Sequence, residues 1–187
     1  MSAGRILDPR TGLWMLDATV VNNFHAGDIA TKLVGSLRGR VYLAQGVEEE
    51  VRSGPARRSY QSLGQWYTVW ALMLGDHDYQ WLVQKFSIDP TKNRGEAESI
   101  VIAQRESLIF ATDDGVAHAE AVRRRICTTR TPALLISLVR QGAMSVADAW
   151  AAFQLMVTRG REFGELPWKD EADYNRLCGI SGFDKCG

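Results

Sequence analysis

Along this chain, short apolar runs alternate with longer stretches in which apolar positions recur every three or four residues, the pattern of strands interleaved with helices. Leu13 to Asp17 is a short apolar run ending on an acid, and Thr19 onward continues Val-Val-Asn-Asn-Phe. A buried strand is therefore expected to run straight into a helix, with Asp17 at the strand's carboxyl end. Asp28 to Leu37 carries Ile29, Leu33 and Leu37 at helical spacing, Arg40 to Ala44 suits a second strand, and Gln45 to Arg52 a helix with three consecutive glutamates. Ser53-Gly54-Pro55 stops that helix, and the basic segment with Arg57 and Arg58 after it is expected to be a surface connection.

Trp66 to Leu74 fits a strand, or a buried helical turn at this length. Asp76 to Phe86 is expected to be helical, with Tyr79, Leu82, Val83 and Phe86 on one face, and Asp89 to Gly95 a loop. A helix begins at Gly95 or Glu96, where early acids complement the helix dipole, and Leu108 to Thr112 forms a strand ending in Asp113-Asp114-Gly115. Val116 to Ile126 suits an amphipathic helix, and Cys127 to Thr129 a short extended piece. Pro132 suits the first turn of a helix through Arg140, and Ser145 caps another that runs to about Thr158.

The alternation predicts an α/β fold with a mostly parallel sheet covered by helices on both faces, a three-layer α/β/α arrangement. Residues 1–159 make up the expected domain, and 160–187 an extension packed on or beside it as a helix. With 187 residues, 45% of them hydrophobic, the chain can bury a core without disulfides or a structural metal. The 22 basic and 22 acidic residues cancel, so contact with a polyanion requires a local patch. Cys127, Cys178 and Cys186 form no zinc pattern. Their odd number, with no export signal in Met1 to Thr11, points to a reducing, cytoplasmic setting. The apolar stretches, such as Trp66 to Leu74 and Ala133 to Val139, are shorter than the roughly 20 residues of a membrane span, so no membrane partner is expected.

In an open parallel sheet, ligands collect at the carboxyl ends of the strands, which is where Asp17 and the Asp113-Asp114 pair fall. Glu96 opens the helix that leads into the second of these strands, and Glu50 lies on the helix after the strand at Arg40 to Ala44. Carboxylates gathered in one cleft repel one another unless a cation is present. Magnesium or manganese suits an all-oxygen donor set and can activate water at a phosphodiester, so no separate nucleophilic side chain is needed.

Leu16-Asp17-Ala18-Thr19-Val20, Gly95-Glu96-Ala97-Glu98 and Thr112-Asp113-Asp114 with Ala117 and Ala121 together resemble PIN-domain proteins. The resemblance is to the bacterial and archaeal branch in which a Gly-Glu-Ala segment precedes the aspartate pair, and it runs from about Leu13 to Thr158. It implies a PIN-like fold and a metal-dependent endoribonuclease acting on RNA, with Asp17, Glu96 and Asp113 as metal ligands and Asp114 as a ligand or an orienter of water. Glu50, in a Val47 to Glu50 setting, is similar to the family's acid after the second strand, although Glu48 and Glu49 adjoin it. The resemblance further implies a toxin paired with an antitoxin protein, and a homodimer. The family often carries an arginine three or four residues beyond the aspartate pair, where this chain has Ala117-His118. The alternative is a catalytically inactive PIN-like module that binds RNA or protein.

Each acid also has a structural use: Asp17 and the Asp113-Asp114-Gly115 turn as helix caps, Glu96 and Glu98 as dipole partners, Glu48 to Glu50 as a solvated face. Arg123 to Arg125 suit a solvated face or an RNA backbone contact. His25, His77 and His118 lack ligand spacing, and Trp66, Tyr67 and Trp70 suit core or a dimer surface. A haloacid dehalogenase would need an aspartate where Thr19 stands, and a nicotinamide enzyme a glycine fingerprint after Asp17 that is absent here.

Overall fold

Five short strands, all parallel, form the centre of the computed structural model, which describes residues 12–37, 39–72, 75, 77–86, 94–163, 166 and 168–179. Met1 to Thr11, the 89–93 part of the expected loop, Asp76, Met73, Leu74 and Cys186 lie outside the described residues, as do the side chains of Val83 and Phe86. The strands are β1 (Trp14–Leu16), β2 (Val41–Ala44), β3 (Tyr67–Trp70), β4 (Ile109–Ala111) and β5 (Thr128–Thr129), in the spatial order β3-β2-β1-β4-β5. Parallel strands require crossovers, and buried strands read as unbroken apolar runs rather than alternating ones. Trp-Met-Leu in β1 and Ile-Phe-Ala in β4 are such runs, and every residue of both is buried.

The helices are α1 (Ala18–Ala26), α2 (Ala30–Leu37), α3 (Gln45–Ser53), α4 (Arg57–Gln61), α5 (His77–Phe86), α6 (Arg94–Arg105), α7 (Gly115–Arg123), α8 (Thr131–Arg140), α9 (Val146–Thr158) and α10 (Glu171–Gly179). Helix α6 packs on α3, α5 and α7, and α1, α2, α8, α9 and α10 pack among themselves, while α4 lies on α3 and α1 also meets α3, an arrangement consistent with three α/β/α layers. Helix α6 starts at Arg94, one residue ahead of the earlier of the two expected starts, and Tyr67–Trp70 resolves the strand-or-turn ambiguity as strand. The segment around Arg57 and Arg58, expected to be a surface connection, instead forms α4. One residue anchors it: Tyr60 is buried, stacks on Trp66 at 4.9 Å and donates its hydroxyl to the Val21 carbonyl at 3.0 Å. In the extension, α10 packs on α8 and α9 through Tyr174, whose ring meets Trp150 and Trp168.

Strand β1 pairs with β2 on one side and β4 on the other, so the chain order reverses between β1 and β4. Crossovers on the two sides of such a switch point diverge and leave a crevice at the strands' carboxyl ends. Asp17 follows β1 directly, and Asp113 and Asp114 follow β4 within three residues.

A glycine contact forms the crevice's side wall. A Cβ on Gly46 would lie 2.9 Å from the Gly95 nitrogen, and one on Gly95 would lie 2.9 Å from Val47 Cγ2, so α3 and α6 touch backbone to backbone. In contrast, Gly35 on α2 has open space around its missing Cβ. Gly46→Ala is therefore expected to lower stability by about 1–3 kcal/mol through overpacking. Gly35→Ala should raise it by up to about 1 kcal/mol through helix propensity. Urea unfolding midpoints of the two variants check this pair of opposite signs.

Candidate active site

The crevice is built from the ends of β1 and β4. The Asp17 backbone N–H donates to the Ala111 carbonyl at 2.9 Å, closing the last rung between the strands, and the extended backbone of Asp17 (φ −84°, ψ 156°) opens α1. Its side chain is buried, with 1% of its surface exposed. Oδ1 accepts the Ala18 N–H at 2.8 Å, while Oδ2 accepts the hydroxyls of Thr19 at 2.6 Å and Thr112 at 2.8 Å.

Both hydroxyls also accept. Thr19 takes the Asp113 N–H at 3.2 Å, and Thr112 takes the Asp114 N–H at 3.1 Å. Two threonines thus tie the Asp17 carboxylate to the backbone of the aspartate pair. Sequence reasoning gave neither Thr19 nor Thr112 a role in the site. The available signal was a hydroxyl residue two positions after the first acid and another just before the pair.

Asp114 is half-buried and caps α7, its Oδ1 accepting the N–H groups of Val116 at 2.9 Å and Ala117 at 2.7 Å. Oδ2 accepts no hydrogen bond among the described residues. Glu96 is half-buried in the first turn of α6, and Glu50 lies one turn beyond Gly46 on α3, the helix that meets α6 at the glycine contact. Capping and membership of an acid cluster therefore coexist in Asp17 and Asp114.

The electrostatics group these acids. Burial raises the Asp17 pKa first of all, its three hydrogen bonds oppose that, and the charge of Asp114 adds to the rise. Burial, then the charges of Asp17, Glu50 and Asp114, push Glu96 up to about 7. Glu50 is raised by partial desolvation and then by Asp17; much of its surface is nonetheless exposed, so its carboxyl belongs to the crevice rim. Four of the five candidate acids, Asp17, Glu50, Glu96 and Asp114, thus feel one another.

Asp113 is differently engaged. Its Oδ1 accepts the Thr131 N–H at 2.9 Å, and its Oδ2 accepts the Asn23 amide at 2.7 Å and the Thr131 hydroxyl. Asn23 in turn accepts from Arg161. Burial raises the Asp113 pKa, and these bonds and the charge of Arg130 counter it. With three of about four lone-pair directions used, Asp113 chiefly fastens β4 to α1 and α8. Among the described residues, no group of three or more His, Cys, Asp or Glu side chains stands close enough to hold a metal ion. The donor set is all carboxylate oxygen, however, and Asp17 retains one lone-pair direction on Oδ1 and Asp114 both on Oδ2. A hard cation fits that chemistry.

The neighbouring acids and bases serve the fold. Buried Glu98 accepts Arg94 Nε at 2.7 Å and the Gly46 N–H at 2.8 Å, clamping the glycine contact, and Arg94 also reaches Glu49 at 3.3 Å. Glu48 pairs with Arg52 at 3.1 Å and accepts the Tyr67 hydroxyl at 3.2 Å. Arg123 and Arg124, expected on a solvated or RNA-facing surface, bind buried Glu120 and lie 5.7 and 5.4 Å from the Trp81 ring centre. A buried carboxylate needs such partners. His118 is half-buried near Thr128, with its pKa lowered by burial and then by Arg130.

The pKa of Glu96 makes a signed prediction. An acid whose folded pKa lies above its unfolded value of 4.5 contributes stability below that value and loses it as pH rises through about 7. Without divalent cations, Glu96→Gln should match the parent near pH 4.5 and become the more stable of the two by pH 8, as read from melting temperatures across that range. A constant difference across the range would remove Glu96 from the cluster.

In comparisons with known proteins, no family model matches this chain, and neither a curated protein nor a solved structure shows a significant match.

Proposed function

We propose that this chain is a divalent-metal-dependent endoribonuclease of the PIN-like type that hydrolyses phosphodiester bonds of RNA. The observation that carries the reading is the coupling of Asp17, Glu50, Glu96 and Asp114 at the switch point, where burial and then the neighbouring charges raise the carboxyl pKa values of Asp17, Glu50 and Glu96. Perturbed acids in a crevice mark functional sites, because stability alone gives no reason to collect them.

Magnesium or manganese would be held by Asp17, Glu96 and Asp114 once it draws these carboxylates closer than they stand without it, with Glu50 at the rim and Asp113 contributing its remaining lone-pair direction. When bound, such a cation activates water and offsets the charge that develops on a phosphate. The chain's own contribution is rigidity: Thr19 and Thr112 hold Asp17 in one orientation, and the α7 N–H groups hold Asp114. RNA is the proposed substrate. The family resemblance extends the proposal to a toxin role, an antitoxin partner, a homodimer and a cytoplasmic location. No helix among the described residues is long and apolar enough to cross a membrane.

A catalytically inactive PIN-like module binding RNA or protein is the second reading. The engagement of Asp113 by Asn23 and Thr131 favours it, since that acid then serves as a structural fastener.

Incubation with a mixed single-stranded RNA pool decides between them. With manganese or magnesium the parent is expected to cleave, and with a chelator it should not. Asp114→Asn, which keeps an oxygen for the α7 cap, should reduce cleavage by about 100-fold or more. Asp113→Asn is the poorer probe, because losing an acceptor among Asn23 and Thr131 costs about 1–3 kcal/mol of fold stability. No cleavage, together with no metal uptake by calorimetry, would establish the second reading.

A further inference from the structure

A cluster of carboxylates repels an RNA backbone, so a cleavage site needs a nearby cation with donors to spare. Most of the described arginines are committed. Arg94 binds Glu98 and Glu49, Arg123 and Arg124 bind Glu120, Arg159 binds Asp28, and Arg161 donates to Asn23.

Arg130 is different. Its guanidinium makes no hydrogen bond or ion pair among the described residues, and the residue is partly buried, whereas Arg57, Arg58 and Arg125 are exposed. A guanidinium with no protein partner keeps its donors for an anionic ligand. The position is set by the sheet. Thr128 and Thr129 of β5 pair with Phe110 and Ala111 of β4, and the Thr112 N–H donates to the Thr129 carbonyl at 3.1 Å. Arg130 therefore follows β5 alongside Thr112, and the next residue, Thr131, binds Asp113 through both its N–H and its hydroxyl. Its charge is felt at both Asp113 and His118.

We propose that Arg130 is a substrate-binding residue that grips a phosphate of single-stranded RNA beside the carboxylate cluster, an inference that rests on the ribonuclease reading above. The planar guanidinium offers paired donors to two phosphate oxygens. The grip acts on the strand rather than on the reacting atoms, so binding is affected and turnover is not.

The test compares the parent with Arg130→Ala, Arg130→Lys and the surface control Arg58→Ala. Binding of a fluorescent single-stranded RNA pool is read by anisotropy in chelator, and cleavage kinetics are read with manganese. Arg130→Ala is expected to weaken Kd and raise KM about tenfold with kcat unchanged, the loss of one charged hydrogen-bonding contact. It should also reduce the slope of log Kd against log salt by about 0.7, the increment for one phosphate on a single strand. Arg130→Lys should recover part of the affinity and the whole slope. Parental Kd, KM and slope in Arg130→Ala, alongside a parent that cleaves, would overturn this assignment and leave the ribonuclease reading standing. A fall in kcat alone would also overturn it. A parent that neither binds nor cleaves RNA would remove both.

Discussion

The buried carboxylate of Asp17 is the constraint on which the crevice depends. It lies at the end of β1 with almost no exposure, so its charge must be met by hydrogen bonds, and the donors come from two threonines 93 residues apart, Thr19 and Thr112. Each hydroxyl then accepts the backbone N–H of one aspartate after β4. A hydroxyl that donates and accepts at once transmits position, so the ends of β1 and β4 and the start of α1 form one hydrogen-bonded unit. The parallel pairing of the two strands brings these groups together, and the acids give the pairing a polar terminus.

Hydrophobic patterning made the layout of the sheet legible. Trp14 to Leu16 and Ile109 to Ala111 are unbroken apolar runs because both faces of their strands are covered, and that same coverage requires helices between them. Patterning failed where one contact outweighs local composition. Arg57–Gln61 is too short and basic to predict as a helix, and it exists because Tyr60 reaches the core. Arg123 and Arg125 are exposed as a solvated run should be, but Arg123 and Arg124 also pair with Glu120, whose burial appears only when α7 is packed.

For the candidate site, sequence spacing singled out four acids whose charges the structure couples, and it could not assign orientation. Asp113 and Asp114 are adjacent, so their side chains diverge: Asp114 caps α7 toward Asp17 and Glu96, while Asp113 turns to Asn23 and Thr131. Their separate roles depend on residues far away in the chain. Likewise, Glu96 and Glu98 are two apart on one helix, which places them on different faces; one joins the crevice acids and the other clamps α3. The glycines at 46 and 95 were legible as residues but not as a contact, since nothing in either segment names its partner.

The backbone contact between α3 and α6 divides the crevice into a stiff half and a compliant half. No side chain intervenes at Gly46 and Gly95, so the helices cannot approach further, and rotamer changes there cannot part them. Glu50 and Glu96 must adjust through their own torsions, three in each side chain, while Asp17 is immobilised by three hydrogen bonds. Any change in the spacing of these acids must therefore come from one wall only, and its span is set by the reach of two glutamates from a fixed ledge.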